Sequence, residues 1–289
     1  MEPEVRWPSR PPAVRQRKWI EFLLGDRDIR GLKSPPLPDE ALQSQFVGSC
    51  GPQAFIEADV FCAKLRQAAA RYGGGLGPQS KVLDFGAGWG RLYRLMLNYV
   101  APENLVGVDI DPICVDLCKE AMPYGSFSQN EIAPPLAFPD GTFDIVYAYS
   151  VFSHLAPEIA RDWFKEFRRV ARPGGLVAFT TLKKAHLNVW RSLALSGTSP
   201  GHTEGLKKAE FDYDAWLRRS DAGEPLYAPT GGSGCRDSSF YGETIISQRA
   251  VQTLALECGL EVRVFEEGDD LPQSFVVLQR PRKSDSIER

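Results

Sequence analysis

The apolar residues between positions 81 and 182 follow two patterns that alternate along the chain. Short apolar runs, such as residues 81–85 and 143–149, have the length of buried strands. Between such runs, apolar residues recur every three or four positions, as at Leu92, Leu95 and Met96, which is typical of one helix face. Strands that alternate with helices imply parallel pairing, because parallel neighbours need long crossover connections.

These patterns place seven strands and six helices along the chain. We predict strands at residues 81–85, 104–108, 126–129, 143–149, 176–181, 261–265 and 274–279. We predict helices at residues 17–24, 54–71, 92–99, 112–122, 159–170 and 251–258. Asp111 is expected to cap one helix, Gly259 to follow the last, and residues 173–175 (Pro-Gly-Gly) to end another. The expected fold is doubly wound α/β, a seven-stranded, mostly parallel sheet with helices on both faces.

Three segments fall outside this alternation. Residues 1–50 are rich in Pro and Arg and are expected to form a partly ordered N-terminal arm with one helix. Residues 186–244 interrupt the strand–helix rhythm, and a segment of that length inside a compact domain is usually functional or a small subdomain. We predict a core of residues 51–185 and 245–280, an inserted cap or lid at residues 186–244, and a loose tail at residues 281–289.

Composition and charge restrict the function classes. The 289 residues carry a net charge of −3, so a general nucleic-acid binder is disfavoured. No apolar run approaches the roughly 18–20 residues that span a bilayer, and the charged, Pro-rich start is unlike a secretory signal. A cytoplasmic protein is therefore expected. Cys114 and Cys118 share one helix face, but the three histidines add no ligand cluster at suitable spacing, so we predict reduced thiols and no metal.

A glycine-rich segment between the first strand and its helix carries the main chemical signal. Residues 84–91 read Asp-Phe-Gly-Ala-Gly-Trp-Gly-Arg. Glycines there allow a sharp turn and a close approach to a ligand, and helix-start N–H groups favour an anionic group. A dinucleotide fingerprint needs Gly-x-Gly-x-x-Gly, and Arg91 stands where its third glycine would be. Asp109, at the end of the second strand, can accept hydrogen bonds from ribose hydroxyls. Together these features suit a nucleoside with a free ribose and no pyrophosphate.

Residues 82–92 and 107–109 resemble the S-adenosylmethionine site of class I, Rossmann-like methyltransferases. Residues 138–155 resemble the region around the fourth strand of that family, and residues 169–175 resemble its turn into the fifth strand. The similarity covers about residues 80–182, plus the closing helix and strands. Four motifs in the family's order are more specific than one glycine loop.

The resemblance implies a role for each matched residue. Asp84 would lie near the amino group of S-adenosylmethionine, and Gly86, Ala87 and Gly88 along its methionine part. Asp109 would hold the ribose hydroxyls and Ile110 would pack on the adenine. The remaining expected cofactor neighbours are Asn130, Glu131 and Ile132, which precede the fourth strand with an uncertain register, and Tyr149 and Ser150, which follow it.

The catalytic residues are less defined than the cofactor site. A base is required only if the accepting atom keeps its proton until attack. His154, which follows the fourth strand, is the first candidate base, and the alternative is that it caps a helix or packs beside the cofactor. Tyr241 is a second candidate, for shaping the acceptor pocket. Trp89 could pack or stack on a ligand, and Arg91 could lie on the surface or near the cofactor carboxylate.

The expected activity is methyl transfer to an oxygen or nitrogen of a small organic or sugar-like acceptor, by in-line displacement in a lidded pocket. The partners expected are a small-molecule acceptor, no nucleic acid and no membrane. The aromatic residues of the insert suit a lid over that acceptor, a homodimer interface or simple packing equally well. Two other functions remain open: a non-catalytic cofactor-binding or interaction protein of the same fold, and a nicotinamide-dependent oxidoreductase.

Overall fold

The structure, a computed structural model, describes Trp7 and residues 11–29, 31–232 and 234–282. The chain is a mixed α/β protein with parallel strands and crossover helices, which confirms the predicted fold class. Its residues divide into two compact units, which are described in turn. One unit extends to Asn130 and includes Phe143–Tyr147, and the other comprises Glu131–Thr142 and the chain from Ala148 onward.

The sheet of the first unit is entirely parallel. Its strands are β1 (Val82–Phe85), β2 (Leu105–Asp109), β3 (Ser126–Gln129) and β4 (Phe143–Ala148), of which Ala148 belongs to the second unit. They are ordered β3-β2-β1-β4, so β1 lies between β2 and β4. All four residues of β1 are buried, as expected for a central parallel strand. The carboxyl ends of β1 and β2 therefore meet at one edge of the sheet.

The helices of the first unit are α1 (Gln16–Leu23), α2 (Glu40–Val47), α3 (Gly51–Ala68), α4 (Arg91–Met96) and α5 (Pro112–Ala121). The N-terminal arm is fastened to α4 and to the chain just after it. Trp19 is fully buried and donates from Nε1 to the Arg94 carbonyl at 2.9 Å. The Asn98 side chain exchanges two hydrogen bonds with the backbone of Val14, at 2.9 and 3.0 Å. The arm thus packs against the helix that follows the glycine-rich loop.

The strands of the second unit are β5 (Ala171–Leu182), β6 (Leu226–Ala228), β7 (Glu243–Ile245), β8 (Glu261–Glu266) and β9 (Gln273–Gln279). Their order is β8-β9-β5-β7-β6. Strand β9 runs antiparallel to β5, and Gln273 pairs with Leu182, so the start of β9 lies at the carboxyl end of β5.

The helices of the second unit are α6 (Pro157–Val170), α7 (His186–Ser196), α8 (Pro200–Lys208), α9 (Tyr213–Ala222) and α10 (Gln248–Glu257). Helices α7 to α9 and strand β6 lie in the predicted insert, which shares an apolar cluster with the ends of β5 and β7. The buried members of that cluster are Leu182, Leu187, Trp190, Leu206, Trp216, Leu226, Ala228 and Ile245. Trp190 and Trp216 are thus packed inside this cluster.

Several sequence predictions are confirmed and others need correction. Asp111 caps α5 by accepting from the Ile113 amide at 3.1 Å, and Gly259 follows α10 with φ +66°. The described part of the chain has nine strands, not seven, because β6 and β7 were missed. Residues 173–175 do not separate helix from strand: α6 passes directly into β5, which contains them. Residues 1–6 and 8–10 of the predicted arm and 283–289 of the tail lie outside the described residues.

Candidate active site

The glycine-rich loop connects β1 to α4 and is held by the end of β2. The amides of Gly86 and Ala87 both donate to the Val108 carbonyl, at 2.8 and 3.0 Å. The Gly90 amide donates to the Ala87 carbonyl at 2.9 Å, which closes the turn. We expected free N–H groups here, suited to an anion. These amides instead have acceptors within the protein, and α4 has only six residues, so the loop offers backbone shape rather than an anion site.

Asp109 ties the loop to the end of β2. Its Oδ2 accepts from the Gly88 amide at 2.8 Å, and its Oδ1 accepts from the Asp111 amide at 2.9 Å. The Asp109 carbonyl accepts from the Asn130 amide at 3.1 Å. The carboxylate is therefore held in one orientation. The structure brings Gly88, Asp109 and Asn130 together.

Asp84 is a buried acid whose charge is only partly offset by Arg91. It is 2% exposed, and its Oδ2 has no hydrogen-bond partner among the described residues. Burial raises the pKa of Asp84 to about 7, against the opposing influence of the nearby Tyr147 hydroxyl, and the Asp109 carboxyl raises it further. A buried carboxyl oxygen without a donor is costly unless a ligand supplies one. Asp84 is thus one of the buried groups of this region that could accept a hydrogen bond from a ligand.

The glycines of the loop serve two different needs. Gly88 has φ +54°, and a Cβ at that position would meet no protein atom within 4 Å, so open space lies in front of it. Gly90 has φ +77°, and its Cβ would lie 2.8 Å from both Arg94 Nη1 and Met122 Cε. Gly90 is therefore required by packing, whereas the space at Gly88 is available to a ligand.

Trp89 and Arg91 are both buried by neighbouring residues. Trp89 makes an edge contact with Phe55 at a centroid distance of 5.9 Å, which supports packing over stacking on a ligand. Arg91 is 4% exposed and donates from Nη1 to the Ala54 carbonyl at 2.9 Å, so the surface alternative is wrong. The Cys118 thiol donates to the Gly88 carbonyl at 3.3 Å.

The predicted adenine neighbours belong to different units: Ile110 and Asn130 to the first, and Glu131 and Ile132 to the second. The Ile110 carbonyl accepts from Gln129 Nε2 at 3.1 Å. Glu131 is exposed, and Ile132 is 41% exposed with its carbonyl bonded to Trp163 Nε1 at 3.0 Å. Ile132 thus keeps an uncovered apolar side chain while its backbone is fixed to α6.

The chain bends sharply just after β4. Tyr149 is buried, and Ser150 has φ +58°, an unfavourable conformation for a residue with a side chain. The Ser150 amide donates to Thr180 Oγ1 at 2.7 Å, and Gln273 Nε2 donates to Ser150 Oγ at 2.8 Å. Side chains of β5 and β9 thus hold Ser150 in this strained backbone conformation. Such strained residues are common at functional sites. Thr180 and Gln273 carried no signal in the sequence, because only the fold brings them here.

His154 and Tyr241 lie against each other. Their rings stack at a centroid distance of 4.7 Å and an interplanar angle of 9°. His154 Nδ1 lies 2.7 Å from the Gly242 carbonyl oxygen, and burial lowers the pKa of His154. The two candidates that the sequence named separately are therefore neighbours.

Glu243, next to Gly242, is surrounded by donors. Its Oε2 accepts from Trp190 Nε1 at 2.5 Å, and its Oε1 lies 3.5 Å from His186 Nε2 and 3.4 Å from His202 Nε2. Burial opposes ionisation, but the His186 side chain and the donors around it lower the pKa of Glu243 to about 2. All three histidines of the chain therefore contact Gly242 or Glu243, a cluster that their sequence spacing did not reveal.

Metal-ligand clusters and membrane-spanning helices are both absent from the described residues. Within the described ranges, no three His, Cys, Asp or Glu side chains are placed to hold a metal ion. None of the helices that the structure describes is long and apolar enough to cross a bilayer.

Comparisons with known proteins agree with the loop geometry. Residues 82–175 match the sequence model of a family described as a methyltransferase domain. The chain is 31% identical over 182 residues to a 2-methyl-6-phytyl-1,4-hydroquinone methyltransferase of Synechocystis sp., covering 59% of this chain and 51% of that protein. It is 29% identical over 136 residues to a malonyl-[acyl-carrier protein] O-methyltransferase of Bacteroides thetaiotaomicron, covering 46% and 50%.

A solved structure gives the same fold. A SAM-dependent methyltransferase from Methanosarcina mazei superposes with a TM-score of 0.51 at 16% identity, covering 74% of this chain and 97% of that one. The matches span about half the length of the curated relatives. Residues 82–175 therefore match a methyltransferase domain, and the chain shares its fold with an S-adenosylmethionine-dependent methyltransferase.

Proposed function

We propose that the chain transfers a methyl group from S-adenosylmethionine to an oxygen or nitrogen of a small organic or sugar-like acceptor, by in-line displacement in a lidded pocket. The observation that supports this most is the buried Oδ2 of Asp84, at the end of β1 just before the glycine-rich loop, which has no hydrogen-bond partner among the described residues. A primary ammonium has the charge and the N–H donors that this oxygen needs. The residues present therefore fit the cofactor of the family.

Different residues of the chain would contact different parts of the cofactor. Asp84 would bind the ammonium, with Gly86, Ala87 and Gly88 along the methionine chain. The fixed carboxylate of Asp109 would accept from the ribose hydroxyls. Ile110 and Ile132 would pack on the adenine, Asn130 or Glu131 would bond its amino group, and Tyr149 and Ser150 would border the sulfonium.

Once bound, S-adenosylmethionine supplies a methyl group activated by a positively charged sulfur. The protein has to orient the acceptor, exclude water and, for a hydroxyl or protonated amine, receive a proton. His154 is suited to the last task, because its lowered pKa keeps the imidazole neutral near neutral pH. Tyr241, stacked on that ring, would shape the acceptor side of the site.

The insert supports a lidded acceptor site. Its helices share their own apolar cluster, so it is a packed element and not an irregular loop. The names of two relatives suggest acceptors to try, 2-methyl-6-phytyl-1,4-hydroquinone and malonyl-[acyl-carrier protein].

Calorimetric titration with S-adenosylmethionine and with S-adenosylhomocysteine tests the proposal, followed by a methyl-release assay over a panel of phenols, sugars, amines and carboxylates. We expect micromolar binding of both compounds and turnover with at least one acceptor class. Binding without turnover on any acceptor would favour a non-catalytic cofactor-binding protein. Failure to bind either compound at millimolar concentration, together with binding of NADH by fluorescence, would favour an oxidoreductase and contradict the proposal.

A further inference from the structure

His154 is bonded twice to a single residue near the end of the insert. Its ring Nδ1 lies 2.7 Å from the Gly242 carbonyl oxygen, and its own carbonyl accepts from the Gly242 amide at 2.8 Å. Leu155 and Tyr241 form an antiparallel bridge beside these bonds. Backbone and side chain of His154 are therefore fixed together, so its ring has one orientation relative to the loop after β4.

We propose that Gly242 is a positioning residue that holds His154 in the Nδ1–H tautomer, so that Nε2 is the atom that accepts the proton of the methyl acceptor. This inference rests on the function proposed above and adds to it the identity of the proton-accepting atom and the element that orients it.

The tautomer follows from hydrogen-bond chemistry. A carbonyl oxygen can only accept, so the nitrogen 2.7 Å from it has to carry the hydrogen. In a neutral imidazole the other nitrogen then has the free lone pair. Among the described residues, no hydrogen bond to His154 Nε2 is found, and the side chain is only partly buried. The basic atom is therefore still available to an acceptor.

Gly242 cannot be replaced without moving the carbonyl that fixes the ring. A Cβ on Gly242 would overlap the Ala228 carbonyl oxygen and lie 2.8 Å from Tyr227 Cε2. Ala228 belongs to β6 and pairs with Glu243 of β7, so the obstruction is a paired backbone and not a flexible side chain. Relief requires a shift of Gly242 itself, and with it the loss of the bond to Nδ1.

The charges around His154 come from the same insert. Glu243 favours the protonated ring, Arg236 and His186 disfavour it, and the Tyr241 ring covers one face. Glu243 is held in turn by Trp190, His186 and His202. The ring therefore starts neutral, and a carboxylate in the neighbourhood stabilises the imidazolium that proton uptake would create.

In the proposed step one proton and one methyl group are transferred. The proton of the acceptor O–H or N–H passes to His154 Nε2, and the freed electron pair forms the new bond to the methyl carbon. The carbon–sulfur bond breaks and its electron pair stays on sulfur, which becomes neutral. The imidazolium keeps its Nδ1–H bond to Gly242 and later releases the Nε2 proton to water.

The tautomer can be measured without any activity. A two-bond 1H–15N correlation spectrum of the three imidazoles, assigned with His→Asn variants, distinguishes protonated from unprotonated ring nitrogens. We expect Nδ1 of neutral His154 to carry the hydrogen. The midpoint of its titration should fall by a few tenths of a pH unit in Glu243→Gln and rise by a similar amount in Arg236→Gln. A Nε2–H tautomer would overturn the inference.

Substitution at His154 separates orientation from proton transfer. His154→Asn places an amide N–H where Nδ1–H stood, so it keeps the bond to Gly242 but has no base. We expect S-adenosylmethionine affinity within about twofold of the parent, kcat lowered about 100-fold or more, and loss of the acidic limb of the pH–rate profile. A kcat close to that of the parent would show that the bond to Gly242 is the whole role of the ring, and would overturn the inference.

Gly242→Ala tests the positioning role, with Gly201→Ala as the matched control. A Cβ on Gly201 in α8 meets no atom within 4 Å. We expect Gly242→Ala to lower kcat at least tenfold and to give a mixture of His154 tautomers, and Gly201→Ala to change neither. A single Nδ1–H tautomer and a parental kcat in a folded Gly242→Ala protein would contradict the positioning role. If Gly242→Ala does not fold, the His154→Asn result still tests His154 as the base. Loss of cofactor binding in the parent protein would overturn the proposed function, whereas turnover that survives His154→Asn would overturn only this inference.

Discussion

Asp84 and Glu243 are two buried carboxyl groups with opposite surroundings, one in each unit of the chain. Asp84 has an oxygen without a hydrogen-bond partner in the part of the chain that the structure describes, and burial raises its pKa to about 7. Burial also penalises the charge on Glu243, but His186, Trp190 and His202 more than compensate and lower its pKa to about 2. Burial alone therefore does not indicate what an acid is for. The number of donors that the protein supplies is the better guide: three side chains surround Glu243, whereas Asp84 Oδ2 has no donor among the described residues.

Replacement of Asp84 should have the largest effects, and it should change stability and cofactor affinity in opposite directions. The raised pKa means that the folded protein favours protonated Asp84, and this contribution is lost as pH rises from 3.8 to about 7. Asp84→Asn should therefore stabilise the ligand-free protein at pH 8 by up to about 4 kcal/mol. It should weaken S-adenosylmethionine binding about 100-fold, because the ammonium loses its carboxylate.

Urea unfolding and calorimetry at pH 8 measure both effects of Asp84→Asn. The exposed Asp116 of α5 offers a matched control, and Asp116→Asn should change neither quantity appreciably. A destabilised Asp84→Asn protein with unchanged cofactor affinity would mean that Asp84 is a structural acid like Glu243.

Gly88 and Gly90 of the glycine-rich loop differ in the same way, because a Cβ would meet open space at Gly88 and other side chains at Gly90. Gly90→Ala should cost about 3 kcal/mol of unfolding free energy, because its Cβ meets Arg94 and Met122 at a positive φ. Gly88→Ala should cost only about 1 kcal/mol, for the positive φ alone, yet lower cofactor affinity more than tenfold. Chemical denaturation and calorimetry on the two variants give the answer, and equal stability losses with equal affinities would remove the distinction.

Glu243→Gln tests how much the hydrogen-bonded carboxylate of Glu243 contributes to stability. Its lowered pKa contributes stability that is present above about pH 4.5 and is lost as pH falls towards 2. We expect the variant to lose about 2 kcal/mol at pH 7, and the difference from the parent to shrink below pH 4.5. Denaturation curves at pH 3 to 7 measure this. Glu257→Gln, at an exposed ion pair with Arg161, is the control and should stay within about 0.5 kcal/mol.

Cofactor affinity should itself depend on pH near neutrality. The ammonium binds the ionised form of Asp84, so affinity should fall as pH drops below about 7, by at most tenfold per unit. Titrations from pH 5.5 to 8.5 would show this slope in the parent and its absence in Asp84→Asn. A flat profile in the parent would mean that the Asp84 carboxylate does not face the cofactor.

The elements of the core were predictable because their signals are local. A short, mostly apolar run predicted β1, Asp111 before Pro112 predicted the start of α5, and Gly259 marked the end of α10. Asp84, Gly88 and Asp109 lie within 26 residues of one another, and a loop at the end of parallel strands brings such residues together. The burial of Arg91 was not predictable, because its partner, Ala54, belongs to a helix 37 residues earlier.

Long-range pairing hid the second half of the candidate site. Strands β6 and β7 have three residues each, and their pairing with each other, not any run of apolar residues, defines them. Gly242 looked like an ordinary loop glycine, since its partner His154 lies 88 residues earlier. Helix α9 had a readable signal: Asp212 caps it, accepting from the Ala215 amide at 2.6 Å, and Gly223 follows it at φ +90°.

The double attachment of His154 to Gly242 limits how the insert could be exchanged between related proteins. A chimera that replaced residues 186–244 as a block would import new acceptor contacts, but it would also discard the carbonyl that orients the ring. Joining foreign sequence before Phe240 would retain that carbonyl and the bonds that flank it. We therefore expect evolutionary divergence in this region to be tolerated more readily in α7 to α9 than in the short stretch that leads back into β7.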